Sequence, residues 1–347
     1  MPPTHVGLLY GGRSPEHDVS IRSARNIYRA LTDRPDADRY RVTPLRIDRD
    51  GGWHCESDVV DGDTTGAMHG AALVADLDLD VVVPMLHGAN GEDGRVQGFL
   101  QTLGMPYVGP DVLASAACMD KEVTKRLLRD AGLPVVPFLL VRREVPLSYA
   151  VAQAALGPTL FVKPANSGSS VGTNKATDAA TFEAALADAL QYDHKVLVET
   201  AIVGREIEVA VLGNLHGAGA PLRASVPGEI VSTATFYTYE AKYLDADAAR
   251  MQVPATLPEA TAEQVRALAL NAAQALGCEG LARVDCFLAE DGTLFVNEIN
   301  TIPGFTSRSM YPVMWEESGL PIPALVDTLI ELAVQRHSRD QALTVAR

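Results

Sequence analysis

Basic residues are in short supply: 29 Lys and Arg stand against 44 Asp and Glu, a formal charge of −15. A field of that sign repels nucleic acid and anionic membrane, so neither is expected as the main partner. Any phosphate ligand must instead meet locally placed lysine, arginine, backbone amide or metal. Cysteine is scarce too. Cys55, Cys118, Cys278 and Cys286 form no CxxC pair, and Cys286 sits in an apolar strand pattern, so reduced, structural thiols are expected. No stretch approaches the roughly 18 apolar residues that span a bilayer. The opening MPPTHVGLLYGG has no basic segment followed by a long apolar run, which leaves a cytoplasmic location as the expectation. Internal repeats and low-complexity tracts are absent. So is the Walker A pattern GxxxxGK[ST], which disfavours the common P-loop architecture.

What remains is a chain of 347 residues, 47% hydrophobic, long enough for two or three domains with cores of their own. Its most informative stretch is RVDCFLAEDGTLFVNEIN, residues 283–300. Asp291-Gly292 is the favoured two-residue hairpin turn, and pairing outward from it sets Leu288 opposite Phe295, Val284 opposite Ile299, Asp285 opposite Glu298 and Arg283 opposite Asn300. Side chains alternate with period two, so Arg283, Asp285, Glu298 and Asn300 share one face. Carboxylates directly opposite each other repel, and a cation between them relieves the repulsion. Oxygen donors without sulfur or imidazole suit a hard ion such as Mg²⁺, which usually completes its shell with water and substrate phosphates. An exposed acidic hairpin has the same pattern, so the hairpin alone leaves that reading open.

Val6 to Tyr10 reads as a strand ending in Gly11-Gly12, with Ser14-Pro15 as helix N-cap and first helical residue. A second apolar run, Leu79 to Met85, ends in LHGANGEDG. Two strands feeding polar, glycine-bearing loops indicate an open α/β sheet, whose ligands bind at the carboxyl ends of the strands. A helix over Asp120 to Asp130 opens the next section, with a boundary near residue 118. Further on come a strand at Leu160 to Val162, the glycine-rich loop Asn166 to Gly172, a helix carrying Phe182, Leu186 and Leu190, and a strand at Val196 to Val198. Then follow a strand at Glu206 to Leu212, a helix near Thr261 to Leu276, the hairpin, and a closing helix near Ile322 to Val334. Between Ser225 and Pro254 little periodicity is visible, as in lids and binding loops.

Lys163 ends a strand and precedes small residues whose amides can approach phosphate oxygens, although a Gly/Ser turn there is as often structural. Lys121 and Lys125 share a helical face by i,i+4 spacing, which by itself reads as two solvated lysines. Glu199 and Glu206 flank a turn and could accept from an adenine amino group or ribose hydroxyls; an ordinary polar turn fits equally. Glu16 stands in the first turn of the expected helix, where the macrodipole favours a carboxylate. His87 follows a strand at a glycine turn.

Together these segments resemble the D-alanine:D-alanine ligases of the ATP-grasp superfamily. The likeness runs in order through GGRSPEHDVSIRSA, PMLHGANGEDGRVQGFLQTLGMPYVG, MDKEVTKRLL, VKPANSGSSVG, TFYTYEAKY, RVD and NEINTIPGFTSRSM, covering most of the chain. It implies an α/β and α+β architecture, an ATP-grasp fold behind an N-terminal open α/β, Rossmann-like domain. The implied domains are 1–118 for substrate, 119–205 as the grasp lid, and 206–347 as the catalytic unit with the long loop 225–254. Implied substrates are ATP and D-alanine, with Mg²⁺ or Mn²⁺ as metal and a homodimer as the assembly. By resemblance, Lys121 and Lys163 hold the phosphates, Glu199 reaches the adenine and Glu206 the ribose, with Ser170 and Ile202 also in the nucleotide site. Asp285, Glu298 and Asn300 match the metal ligands, the residues that the hairpin register had already singled out. Glu16, Ser169 and Tyr243 match a trio that positions the first D-alanine and tethers the loop, with His87 and Val19 beside it. Lys242 would touch the γ-phosphate. Arg283 and the Gly304 amide would stabilise a developing oxyanion, and Ser309 with Met310 would take the second substrate's carboxylate.

The implied reaction makes an acyl phosphate from the first D-alanine, which the amine of the second attacks, as in peptidoglycan precursor synthesis. Tyr243 favours an amine over a hydroxy acid, because ligases that join D-lactate depart from the pattern there. The chain itself departs from many relatives at Gln101 and at Thr200-Ala201, the latter beside the expected adenine site.

Overall fold

The structure, a computed structural model, describes residues 2–60, 70–216, 221–232 and 249–343. Three sheets follow one another along the chain. The first is β3-β2-β1-β4, from β1 (Thr4–Gly11), β2 (Tyr40–Ile47), β3 (Trp53–Cys55) and β4 (Val81–Met85). β1 runs parallel to both β2 and β4, and only β3 is antiparallel. β1 is apolar on both faces because both are covered. Val6, Leu8 and Tyr10 pack in the core that includes Ile21, Ala24, Ile27 and Leu31 of α1 (His17–Thr32), and Leu9 packs on the side of α2 (Gly70–Asp76) and α3 (Arg95–Thr102).

α1 begins later than the Ser14-Pro15 reading places it. The Ser14 hydroxyl donates to the His87 carbonyl at 2.6 Å and accepts from the Glu16 N–H at 3.0 Å. The Ser14 carbonyl accepts from the His17 N–H at 3.2 Å. Ser14 therefore closes a turn, and Glu16 occupies the N-cap position. That turn ties the end of β1 to the loop after β4.

α4 (Val112–Met119) leads into α5 (Lys121–Asp130), whose N-cap Asp120 accepts from the N–H groups of Glu122 and Val123. The second sheet is β5-β8-β6-β7, from β5 (Phe138–Arg142), β6 (Leu160–Pro164), β7 (Asn174–Ala176) and β8 (Lys195–Thr200). It is antiparallel and backed by α6 (Tyr149–Leu156) and α7 (Ala179–Tyr192). On α7, Phe182 is fully buried, whereas Leu186 and Leu190 are only partly covered.

The third sheet has β13 (Gly280–Ala289) between β9 (Gly204–Gly213) and β14 (Leu294–Asn300). β11 (Gly228–Ser232) and β12 (Ala249–Gln252) extend it past β9, and β10 (Arg223–Ala224) pairs with β9. One face is uniformly apolar: Ile207, Val209, Val284, Cys286, Val296 and Ile299 pack with α8 (Glu259–Ala275), α4 and Leu128 of α5. The other face changes along its length. Ala210, Leu212 and Leu281 pack with α9 (Met310–Glu317) and α10 (Ile322–Gln341), while Glu206, Glu208, Asp285 and Glu298 line an open cleft.

The hairpin register needs one correction. The Ala289 N–H donates to the Thr293 carbonyl and Gly292 has φ +85, so the loop holds three residues, Glu290 to Gly292, with glycine in the left-handed position. Near the turn every partner moves by one: Leu288 faces Leu294, and Phe295 faces Phe287. A bulge next to Asp285 then inserts Asn297 and restores the expected register, with Asp285 opposite Glu298, Val284 opposite Ile299 and Arg283 opposite Asn300. Two one-residue offsets cancel where the chemistry sits.

Candidate functional site

The cleft, about 390 Å³, lies between the second and third sheets. The bulge shapes its floor: Asn297 and Glu298 both line it, although they are consecutive, and Val296 and Ile299 on either side both reach the α8 core. The pairing of β9 with β13 adds Glu208, directly opposite Asp285 on the strand's other side. Three carboxylates thus run across three adjacent strands, from Glu208 through Asp285 to Glu298. Glu208 went unread in the sequence, yet Glu206 and Glu208 alternate with Ile207 and Val209, the period-two signature of a strand with one functional face.

A buried guanidinium balances the row. Arg283 donates through Nε and Nη2 to the two oxygens of Asp285, each at 2.7 Å, and its Nε lies 2.9 Å from Glu208 Oε2. Burial works against its charge, but Asp285 and Glu208 outweigh this and hold it protonated. The Asn300 amide donates to Asp285 at 2.9 Å. Among the described residues no three of His, Cys, Asp and Glu gather into a metal-holding group, and Arg283 lies between Asp285 and Glu208. In kind, the donors of Asp285, Glu298 and Asn300 are all oxygen and fit a hard divalent ion.

Lysines face this floor. Lys163 on β6 lies 2.8 Å from Glu199 and donates to Asn297 Oδ1 at 3.2 Å. Lys121 opens α5, donates to the Ser167 carbonyl at 2.6 Å and lies 3.5 Å from Glu298. The solvated reading of Lys121 and Lys125 is overturned. Both are buried, Lys125 completely, because α5 turns this face toward Glu199 and Glu298 and not toward water. Glu199 is buried as well; desolvation acts to raise its pKa, but Lys125 and Lys163 hold it below the usual carboxylate range. Thr200, Ile202 and Glu206 line the same cleft. The Thr200 hydroxyl donates to the Leu156 carbonyl at 3.0 Å, while Gln101 is exposed on its helix.

Above the lysines, residues 167–172 form a serine-glycine turn. Ser169 and Ser170 have φ of +51 and +58, a left-handed backbone that costs ordinary residues energy and concentrates at functional sites. The Ser169 hydroxyl donates to Glu16 at 2.6 Å, joining the turn to the start of α1. Lys242 and Tyr243 lie outside the described residues, as does most of the stretch 225–254.

Beside Glu16 a second cluster forms around the loop after β14. The Phe305 N–H donates to Ser23 Oγ at 3.0 Å; Ser23 Oγ lies 3.0 Å from His87 Nε2, and His87 Nδ1 lies 2.9 Å from the Ile302 carbonyl. A carbonyl can only accept, so Nδ1 carries the proton; burial favours the neutral ring, which leaves Nε2 to accept from Ser23. His87 is thus a neutral clamp on residues 302–305. Burial lowers its pKa, with the charge of Glu16 opposing. The clamp fixes Gly304, where an added Cβ would come 3.1 Å from Ser309 Oγ. Ser309 in turn precedes α9, and the side chain of Met310 is buried in the core, which leaves the backbone N–H of the first helical turn as what Met310 can offer an anion. Val19, on α1, is half-buried. Two residues here escaped the sequence: Ser23, and Glu92, whose half-buried carboxyl accepts from the Gly88 N–H at 3.0 Å and is pushed up to about 8 by desolvation, with Glu16 adding.

Lysines over a carboxylate floor, a serine-glycine flap, and two α+β sheets closing on one cleft define an ATP-grasp enzyme. Residues 5–110 match the model of the D-ala D-ala ligase N-terminus, and residues 127–331 that of the C-terminus. The chain is 46% identical to D-alanine--D-alanine ligase A of Chromobacterium violaceum, over 98% of this chain and 97% of that one. Among solved structures, the D-alanine-D-alanine ligase from Coxiella burnetii superposes with a TM-score of 0.84 at 38% identity, over 98% of this chain and 97% of that one. The VanG D-Ala:D-Ser ligase from Enterococcus faecalis gives 0.80 at 30%, over 95% and 99%. The chain belongs to the D-alanine–D-alanine ligase family. No described helix is long and apolar enough to cross a membrane.

Proposed function

We propose that the cleft binds ATP across the lysines and that the Glu16 and His87 side receives D-alanine, so that the chain joins two D-alanines into D-alanyl-D-alanine for peptidoglycan precursors. The observation that carries this reading is the meeting of both halves at one place: Ser169, on the flap over the cleft, is hydrogen-bonded to Glu16 of the N-terminal sheet's loop. Lys121 and Lys163, with Ser170, take the phosphates, and Glu199, Ile202 and Glu206 the nucleoside. Asp285, Glu298 and Asn300 would hold Mg²⁺ or Mn²⁺, which would neutralise phosphate charge in the transfer. The chain divides at residues 118 and 205, with the second sheet as lid.

The carboxylate of the first D-alanine, placed by Glu16 and Ser169 with Tyr243 and flanked by His87 and Val19, attacks the γ-phosphate, which Lys242 contacts. ADP leaves and an acyl phosphate forms. The amine of the second D-alanine, its carboxylate received at Ser309 and the Met310 N–H, then attacks the acyl carbon and phosphate departs. Arg283 and the Gly304 amide meet the oxygen that gains charge. Closure of the loop 225–254 keeps water from the acyl phosphate. The reaction runs in the cytoplasm, on a homodimer.

The test is ADP release by the purified protein with Mg²⁺, comparing D-alanine, L-alanine, and D-alanine with D-lactate or D-serine as second substrate. An Asp285→Ala, Glu298→Ala double variant runs alongside. Turnover that needs D-alanine and is lost in the variant is expected. ATP binding by folded protein without D-alanine-dependent ADP release would overturn the reading.

A further inference from the structure

Lys125 takes no part in the assignments above, yet it is one of the largest completely buried side chains of the molecule. It stands one helical turn beyond Lys121 on α5 and does not reach the cleft, whereas Lys121, Lys163 and Glu199 all line it. Its Nζ lies 3.0 Å from Glu199 Oε1, and the other oxygen, Oε2, lies 2.8 Å from Lys163. Among the described residues Glu199 is its ion-pair partner; the Phe138 ring lies 6.0 Å from the ammonium, and Lys163 and Glu298 are near enough to act on its charge. One carboxylate is therefore shared by a lysine behind the cleft wall and a lysine in front of it.

A buried ammonium is expensive even with one ion-pairing carboxylate, and an apolar side chain of the same length would fill the space at less cost. The arrangement makes sense through the charge left on Lys163. Alone with Lys163, Glu199 would neutralise it in a closed ion pair and hold Nζ against the wall. With Lys125 on the rear oxygen, the two ammoniums share one negative charge, and the cluster keeps a net positive charge facing the cleft. An incoming polyphosphate then meets an ammonium that is already placed and only half neutralised.

We infer that Lys125 is a positioning residue for the nucleotide: by engaging the rear oxygen of Glu199 it leaves the charge of Lys163 available to the phosphates. This rests on ATP occupying the cleft. It also makes Glu199 a link through which one buried residue acts on the phosphate end of the site. Lys125 touches neither nucleotide nor D-alanine.

The experiment is steady-state kinetics of Lys125→Met, Glu199→Gln and the double variant, at a temperature where circular dichroism shows each to be folded. Lys125→Met is expected to raise the KM for ATP at least tenfold, with kcat and the KM for D-alanine changed less than threefold. In the Glu199→Gln background the same substitution should change the KM for ATP less than twofold, because the carboxylate it acts through is gone. A merely structural lysine would lower the melting temperature without that split. An unchanged KM for ATP in Lys125→Met, or an equal rise in both backgrounds, would overturn the inference. If Lys125→Met does not fold, the double variant, which removes a buried cation and anion together, is compared with Glu199→Gln, and a KM for ATP more than twofold higher in the double variant would overturn it. Failure of the wild-type protein to release ADP with D-alanine would instead remove the ligase reading.

Discussion

The two faces of the third sheet are built from the same strands and differ by one residue in phase. Toward α8 they present Ile207, Val209, Val284, Cys286, Val296 and Ile299, all buried. On the other face Glu206, Glu208, Asp285, Asn297 and Glu298 line the cleft, with Arg283 held beside Asp285 and Glu208, and Glu208, Arg283 and Asp285 are likewise buried. The apolar face can be water-free because nothing on it needs a partner. The charged face can be buried only because Arg283 is hydrogen-bonded or ion-paired to two carboxylates at once. Stability and chemistry therefore occupy alternate positions along one strand, and each face is sensitive to a different kind of substitution.

The most damaging change would be to the phase itself. Deleting Cys286 from β13 joins Asp285 directly to Phe287, two residues that both face the cleft, where the pleat allows only one. The strand must then turn Asp285 toward α8 or shift its pairing by one residue. Burying an unpaired carboxylate costs several kcal/mol, against a total stability of about 5–15 kcal/mol for a typical protein. Loss of a cooperative thermal transition is expected, and a deletion variant melting within a few degrees of wild type would show that the phase of β13 is dispensable.

On the charged face, Arg283→Lys keeps a cation beside Asp285 and Glu208 and should fold, but it removes the bidentate guanidinium and with it transition-state stabilisation. Removing one such donor lowers kcat by about 10²–10³. D-alanine-dependent ADP release gives the rate, and ATP binding by calorimetry checks that the cleft persists. A fall of less than about tenfold would take Arg283 out of the acyl-transfer step. On the apolar face, Ile207→Ala should do the reverse. The side chain is completely buried between Glu206 and Glu208, and truncating such a residue costs about 2–5 kcal/mol of stability. Chemical denaturation should register that loss, with the KM values for ATP and D-alanine unchanged in folded protein; a large change in either KM would mean that the two faces are coupled.

How far the sequence revealed this comparison can be told residue by residue. Alternation along RVDCFLA and the Asp-Gly turn placed Arg283, Asp285, Glu298 and Asn300 on one face, and that pairing stands. It stands because two unforeseen features offset each other: a three-residue loop, which Gly292 permits as readily as a two-residue one, and a bulge that nothing in the identity of Asn297 announces. Lys125 shows the opposite failure. Local spacing along α5 reads as a solvated pair, and only a distant glutamate on β8 makes the buried position tenable. Ser14 misled in a third way, since its hydroxyl serves the His87 loop and not the helix. Period and turn chemistry are local and legible, whereas partnership across sheets is not.

The smallest predicted effect concerns the clamp that holds the Gly304 loop next to the charged face, and it is read in pH. His87 is buried and neutral, its pKa below the ordinary 6.5 because desolvation disfavours the imidazolium. The unfolded imidazole takes up a proton near pH 6.5 while the folded one resists until lower pH. Unfolding therefore binds a proton in that window, and stability contributed by neutral His87 is present above it and lost as pH falls below about 6.5. His87→Gln, which keeps a side chain able to donate to Ile302 and accept from Ser23 but cannot titrate, should be less stable at pH 8 and lose less on acidification. Melting temperatures of the two proteins from pH 8 to pH 5 should converge. Parallel curves would mean that His87 is protonated equally in both states, and the neutral clamp on residues 302–305 would have to be given up.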